Sequence, residues 1–168
     1  FAGHLFRVTE IGASAFSEKK VKSVTLPMGL KSIGDNAFMS STISEISIPA
    51  TVTNIGKGAF SNILALKTIS VPNSVKTIGH SCFAACTGLT EVKLPARLEN
   101  LENSMFWGCR SLTKVTLPQN IDKIDTGTFE DCKALAHIDL PQSVTTIGVN
   151  ASKNTALTEV PVTTSLKL

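Results

Sequence analysis

Hydrophobic side chains along the chain return in one pattern every 22 or 23 residues. Prolines and phenylalanines mark this period independently, and they fall at Pro27, Pro49, Pro72, Pro95, Pro118 and Pro141 and at Phe16, Phe38, Phe60, Phe83, Phe106 and Phe129. When superposed, the segments share the consensus L-x-x-V-x-L-P-x-x-V-x-x-I-G-x-x-A-F. Because a fixed period of this length is the signature of stacked repeats, the pattern predicts a solenoid.

Each repeat predicts two extended segments followed by a turn. The first segment, residues 112–117 for example, alternates apolar and polar residues, which is the period of a half-buried strand. A proline then ends the strand, because it has no N–H to donate to a neighbour. The second segment, such as Val144 to Gly148, places two apolar residues inward and usually ends in glycine, which we expect to turn the corner with a positive φ. The stretch around each phenylalanine has room for one helical turn over the core.

One repeat has no second layer to cover its apolar side chains, so stability requires stacking. Stacking predicts a continuous core, a column of phenylalanine rings and parallel pairing of equivalent strands at about 4.8 Å. We therefore expect residues 1–168 to form a single solenoid of 22- to 23-residue repeats. The chain begins inside a repeat, and its last repeat, 148–168, is degenerate, with Ala151 at the phenylalanine position. These features predict a fragment of a longer protein.

The repeat resembles the BspA-like, or Treponema-type, subfamily of leucine-rich repeats. Residues 112–118 carry the strand and its proline, Ile121 and Ile124 the second segment, and residues 129–132 the Phe-x-x-Cys motif. The resemblance implies a curved, right-handed solenoid with a parallel β-sheet on its concave face. It also implies a cell-surface or secreted location and a role in attachment to host matrix or to other cells. It brings no catalytic residue to this chain.

Composition and charge argue against two classes of partner. No apolar run approaches the ~20 residues of a membrane-spanning helix, so we expect no membrane insertion in this segment. The formal net charge is +3, and the one tight basic cluster, Lys19, Lys20 and Lys22, has no interleaved aromatic residues. A nucleic-acid-binding domain would show a longer basic stripe or a known module, so we expect no nucleic-acid partner.

Three of the four cysteines form a column. Cys86, Cys109 and Cys132 are 23 residues apart, so they stack on successive repeats. Two interpretations are open: a disulfide or metal site, or small buried thiols that fill a tight corner. The three histidines fall in other columns, which favours the buried thiols. With no nucleophile–base pair and no phosphate-binding loop, the sequence predicts a non-enzymatic protein without a cofactor.

The strand alternation turns two columns of polar side chains outward, and these columns are the candidate binding surface. From them we predict six partner-binding residues, with Trp107 as a further anchor on the loop side: Glu45, Glu91, Lys93, Lys114, His137 and Asp139. The opposing interpretation is a merely solvated face, since the columns contain no aromatic anchor.

The sequence thus favours a macromolecular binding module, a cell-surface adhesion or recognition domain that contacts a host or extracellular-matrix protein or a glycan. Two alternatives stay open. One is a structural spacer that presents another domain. The other is a repeat array that self-associates through uncapped ends, because open solenoid ends expose strand edges.

Overall fold

The computed structural model describes residues 7–159 as a β-solenoid of about six turns in which every strand pair is parallel. The first segments of the repeats form β2 (Ser23–Val24), β4 (Glu45–Ile46), β6 (Thr68–Ser70), β8 (Glu91–Lys93) and β10 (Lys114–Thr116). The second segments form β1 (Glu10–Ile11), β3 (Ser32–Ile33), β5 (Asn54–Ile55), β7 (Thr77–Ile78), β9 (Asn100–Leu101), β11 (Lys123–Ile124) and β12 (Thr146–Ile147).

The first-segment strands form two sheets, β2-β4 and β6-β8-β10. The break between β4 and β6 falls where the repeat lengthens from 22 to 23 residues. The loop from Asn62 to Leu66 has one residue more than the loop from Ser40 to Ile43. Residues 137–139, which the alternation predicted as a further strand, are not in a strand. Their equivalents in the next repeat, from residue 160, lie outside the described residues.

The second-segment strands also form two sheets, β1-β3-β5-β7 and β9-β11-β12. Within each sheet the register is exact to the repeat, so that Asn54 lies beside Thr77 and Ile55 beside Ile78. Within each of these strands the apolar residue is buried and the polar residue faces outward. Val52 and Val75, three residues before Ile55 and Ile78, are also buried, which confirms the prediction of two inward residues in this segment. The segment forms a strand as well.

Backbone hydrogen bonds also link the turns of adjacent repeats, and we call this set the turn ladder. At each junction three N–H groups, on the phenylalanine and on the residues two before and two after it, donate to carbonyls of the next repeat. Around Phe83 they are Ser81 N to Asn103 O at 2.9 Å, Phe83 N to Met105 O at 3.0 Å and Ala85 N to Trp107 O at 2.6 Å. The same triplet recurs at all six junctions between residues 14 and 153, so the turn ladder has no break there.

The turn ladder is built on a left-handed backbone at two positions in every repeat. No helix occurs within residues 7–159, so the predicted helical turn is wrong, and consecutive tight turns take its place. The residues two before and two after each phenylalanine position have φ between 54° and 71°; they are Ser14, Glu18, Asn36, Ser40, Gly58, Asn62, Ser81, Ala85, Ser104, Gly108, Gly127, Asp131, Asn150 and Asn154. Asn, Asp, Gly and Ser predominate because they are common turn residues and, except for Ser, tolerate this conformation well.

The glycine that ends most second segments has a different role from the predicted one, because its φ is not positive. An ideal Cβ placed on Gly34 would lie 2.8 Å from Ala13 N, and one placed on Gly56 would lie 2.6 Å from Asp35 N. The backbone of the preceding repeat therefore passes too close for a side chain. Glycine is selected here for close approach, and the turn is made two residues later.

The predicted phenylalanine column is confirmed. Neighbouring rings from Phe16 to Phe129 stack with centroids 5.2 to 5.8 Å apart and planes within 7° of parallel. The predicted end of the column is wrong by one residue. Phe129 N donates to Ala151 O, as Phe106 N donates to Thr128 O, so Ser152 occupies the phenylalanine position. The remainder of the predicted degenerate repeat, from residue 160, lies outside the described residues.

A substitution at Ala85 tests the turn geometry. Ala85 has a φ of 58°, a left-handed conformation that alanine adopts less readily than glycine or asparagine. The substitution Ala85→Gly should raise the free energy of unfolding by about 1 kcal/mol, since glycine adopts this φ without a Cβ clash. The control Ala84→Gly lies one residue earlier, where φ is not positive. It should lower the same quantity by about 1 kcal/mol. Denaturant midpoints measure both, and a fall for Ala85→Gly would contradict the assigned turn.

Candidate functional site

The outward side chains of the first-segment strands form a polar surface, which we call the strand face. It consists of Ser23, Glu45, Thr68, Glu91 and Lys114 in one column and Thr25, Ser47, Ser70, Lys93 and Thr116 in the other. Strand pairing sets Thr68, Glu91 and Lys114 side by side, and likewise Ser70, Lys93 and Thr116. Between the two columns the inward residue is buried in β6 and β8, where Val92 is fully buried, and partly buried in β2, β4 and β10. A fixed core therefore holds the polar groups at a regular spacing.

Four of the predicted partner-binding residues are paired with one another. Lys114 Nζ lies 2.8 Å from Glu91 Oε1 across adjacent strands, and His137 Nε2 lies 2.8 Å from Asp139 Oδ1 within one segment. His137 and Asp139 lie beyond the last strand of the face, and their side chains are 78% and 94% exposed. Exposed pairs of this kind contribute only about 0–1 kcal/mol to stability. The charges of Glu91 and Lys114 nevertheless compensate each other, which leaves less net charge for a partner, whereas the charge of Asp139 is compensated only where His137 is protonated.

The remaining two predicted residues of the face, Glu45 and Lys93, form no ion pair with any residue between 7 and 159. Both are exposed. Glu45 lies between two shallow depressions that are lined by the hydroxyl-bearing residues Ser23, Ser47 and Thr68, among others. The structure thus separates two residues without an ion-pair partner from four that are paired, a distinction that the sequence does not contain.

Trp107 lies away from the strand face. Its carbonyl accepts the turn-ladder bond from Ala85 N, which places it on the turn side of the solenoid. The side chain is 44% exposed, and its neighbours in the same column are Ala84 and Glu130. Glu130 in turn is paired with Lys153 at 2.9 Å. The prediction that Trp107 is exposed on the loop side is confirmed, but it cannot act together with Glu45 and Lys93 on one small patch.

The cysteine column consists of buried free thiols. Cys86, Cys109 and Cys132 each donate a hydrogen bond from Sγ to the carbonyl of the phenylalanine in the preceding repeat, at 3.0, 3.1 and 3.1 Å. Burial raises the pKa of the Cys86 thiol to about 12 and that of Cys132 to about 12. A zinc ligand would be a thiolate, whereas these sulfurs serve as donors. The thiols therefore fill the corner behind the phenylalanine rings.

Histidine and acidic side chains do not converge on a site within the described part of the chain. His80 and His137 are exposed and lie in different repeats, and His4 lies outside the described residues. Within residues 7–159, no three His, Cys, Asp or Glu side chains are close enough to hold a metal ion. The same part of the chain contains no helix that is long and apolar enough to cross a membrane.

Parallel strands, apolar rungs and a ring column together define a leucine-rich-repeat β-solenoid. The sequence matches the BspA type leucine rich repeat region in six copies, over residues 6–73 and 53–168. The chain therefore belongs to the BspA-type leucine-rich-repeat family. No curated protein sequence matches it.

Solved structures of bacterial proteins share this architecture. A leucine-rich repeat protein from Bacteroides ovatus has a TM-score of 0.88 at 30% identity, over 95% of this chain and 42% of that one. The chain thus spans less than half of that relative. A Treponema pallidum leucine rich repeat protein has a TM-score of 0.64 at 29% identity, over 76% of this chain and 72% of that one. A leucine rich cell surface protein from Faecalibacterium prausnitzii shares the fold, with a TM-score of 0.56 at 24% identity over 95% of this chain and 56% of that one.

The burial of the thiols leads to a direct expectation. In the folded protein, all four cysteines should react with a small aromatic disulfide reagent at pH 8 far more slowly than the same thiols in denaturant. The reason is that they are buried and that burial raises the pKa of Cys86 and Cys132 to about 12. Absorbance of the released thiolate counts the reacting groups. Rapid reaction of any cysteine in the folded protein would contradict its placement.

Proposed function

We propose that this chain is a non-enzymatic binding module that recognises an extracellular protein or glycan through the strand face. The observation that carries the proposal is the pair of uncompensated charges, Glu45 and Lys93, on a rigid polar sheet surface. Glu45 is in β4 and Lys93 is in β8, two strands further along. At about 4.8 Å per strand, they are about 10 Å apart along the axis. A partner with complementary charges at this spacing engages both.

The family supports the location that we propose, the cell surface or the extracellular space. The resemblance to the BspA-type repeats implies a role in attachment to host matrix, and the Faecalibacterium prausnitzii protein is described as a cell surface protein. Hydroxyl groups dominate the N-terminal half of the strand face, and they donate and accept hydrogen bonds without strong charge. Such a surface suits a polar ligand, protein or glycan, better than an apolar one.

The test is binding of the folded chain to a panel of immobilised extracellular-matrix proteins and glycans, measured by surface plasmon resonance. The double variant Glu45→Ser with Lys93→Ser should bind the recognised member at least about tenfold more weakly, a loss of about 1.4 kcal/mol. The matched control is Glu91→Ser with Lys114→Ser, which also leaves the net charge unchanged but removes a pair that is already compensated. The control should retain affinity within about threefold.

Other outcomes favour the alternatives. If no panel member binds and the chain stays monomeric in sedimentation, the spacer role replaces the proposal. If the mass rises with concentration, self-association replaces it. Equal losses in the two double variants would show that the two free charges have no special part in binding.

A further inference from the structure

The two second-segment sheets are separated by a gap between β7 and β9. No Cα atom of β7 lies within 8 Å of a Cα atom of β9, whereas paired strands lie about 4.8 Å apart. At the other junctions, two backbone hydrogen bonds join the second segments of adjacent repeats. Between β5 and β7, for example, Lys76 N donates to Thr53 O at 2.8 Å and Gly79 N donates to Ile55 O at 2.9 Å. The equivalent amides, Glu99 N and Glu102 N, donate to no backbone group within residues 7–159.

The gap is local, because the repeats are joined at both of its ends. At one end Ala96 N donates to Asn73 Oδ1 at 2.9 Å, and at the other Ser81 N donates to Asn103 O at 2.9 Å. Gly34, Gly56 and Gly79 directly follow the second-segment strands of the preceding repeats. At the gap this position is occupied by Glu102, the first residue in the column with a side chain. Asp125 in the next repeat also has a side chain there, yet its amide bonds to Leu101 O at 2.9 Å. The opening is thus confined to one junction.

We call this gap the slot, and its walls and floor differ in chemistry. The floor is formed by Val75, Ile78 and Leu98, which are buried, so the core beneath remains closed. The walls are the unpaired edges of β7 and β9. Their backbone groups are those of a sheet edge, which is a ready template for another strand. An inserted strand needs about twice 4.8 Å, or about 9.6 Å, between the strands that flank it. The Cα separation of β7 and β9 exceeds 8 Å, so the two edges are too far apart to pair with each other.

The charged side chains along the slot have no ion-pair partners among residues 7–159, and their signs differ between its two ends. Arg97 lies at its start, Lys76 and Glu99 occupy equivalent positions on its two sides, and Glu102 lies at its end. None of the four forms an ion pair with a residue between 7 and 159. A ligand strand that runs parallel to β7 would therefore be favoured by an acidic residue near its N-terminus and a basic residue near its C-terminus.

We infer that the slot is a second binding site, in which an extended peptide segment of a partner protein pairs with the edges of β7 and β9. Insertion of one strand would join the two second-segment sheets into a single ladder. Main-chain hydrogen bonds supply the affinity, as in other cases of strand addition, and Arg97 and Glu102 select the charges of the segment. The site is independent of the strand face, which lies on the other set of strands.

The experiment is an NMR titration of the full chain with the capped peptide Asp-Ala-Thr-Thr-Ala-Gly-Lys. Its alanine and glycine residues are small, which suits the slot because the side chains of Val75, Ile78 and Leu98 already fill the floor. The expected result is a saturable change in the amide resonances of residues 76–79 and 99–102. Two control peptides separate the causes. One has the same side chains with N-methylated central amides, which removes main-chain donors, and the other has threonine in place of both charged residues. Both should bind at least about tenfold more weakly.

Two variants of the protein complete the test. Arg97→Ser should weaken binding of the parent peptide, and the Glu45→Ser, Lys93→Ser double variant should leave it unchanged. No amide change at residues 76–79 and 99–102 would overturn the inference, whether the slot is closed in solution or occupied by another part of the chain. Equal binding of the N-methylated peptide would overturn it too, because strand pairing would then play no part. A loss of binding in the Glu45, Lys93 variant would assign the peptide to the strand face instead.

Discussion

The turn ladder sets the spacing and register of all the repeats between residues 14 and 153. Three amides per junction, centred on each phenylalanine, hold the repeats in register from residue 14 to residue 153. Because this spacing is set on the turn side, the rings stack at 5.2 to 5.8 Å and the strands on the other sides are brought to pairing distance. Both sets of strands are interrupted, at β4/β6 and at β7/β9, while the turn ladder continues past both breaks. The strands therefore tolerate local variation, and the turns do not.

The features that repeat are the ones that sequence could predict. The period, the rings, the inward residues and the proline that ends each strand are all properties of columns, and the family follows from them. The two left-handed positions were also readable in principle, since Asn36, Asn62 and Asp131 are typical turn residues at a fixed distance from a phenylalanine. The role of the glycine was misassigned, because close approach to a neighbouring backbone and a positive φ both select glycine. Only the geometry of Gly34 against Ala13 separates the two.

The features that break the period decide what the surface offers, and these were beyond prediction. Glu91 and Lys114 look like binding charges in sequence, yet they pair across β8 and β10. Glu45 and Lys93 look the same and have no such partner among the described residues. The exchange of glycine for Glu102 is one substitution in a column, and sequence does not reveal that it accompanies a gap wide enough to lose two backbone bonds. Such effects depend on the distance between repeats, which a one-dimensional pattern does not contain.

Amide hydrogen exchange, followed residue by residue by NMR, shows whether the turn ladder or the sheets hold the repeats in register. If the turn ladder holds the solenoid together, the amides of Phe38, Phe60, Phe83 and Phe106 should be among the slowest to exchange, since each is hydrogen-bonded within a continuous ladder. The amides of Glu99 and Glu102 should exchange quickly in the same experiment. Fast exchange at the phenylalanine amides, with slow exchange confined to the strands, would contradict the account and place the stabilising register in the sheets.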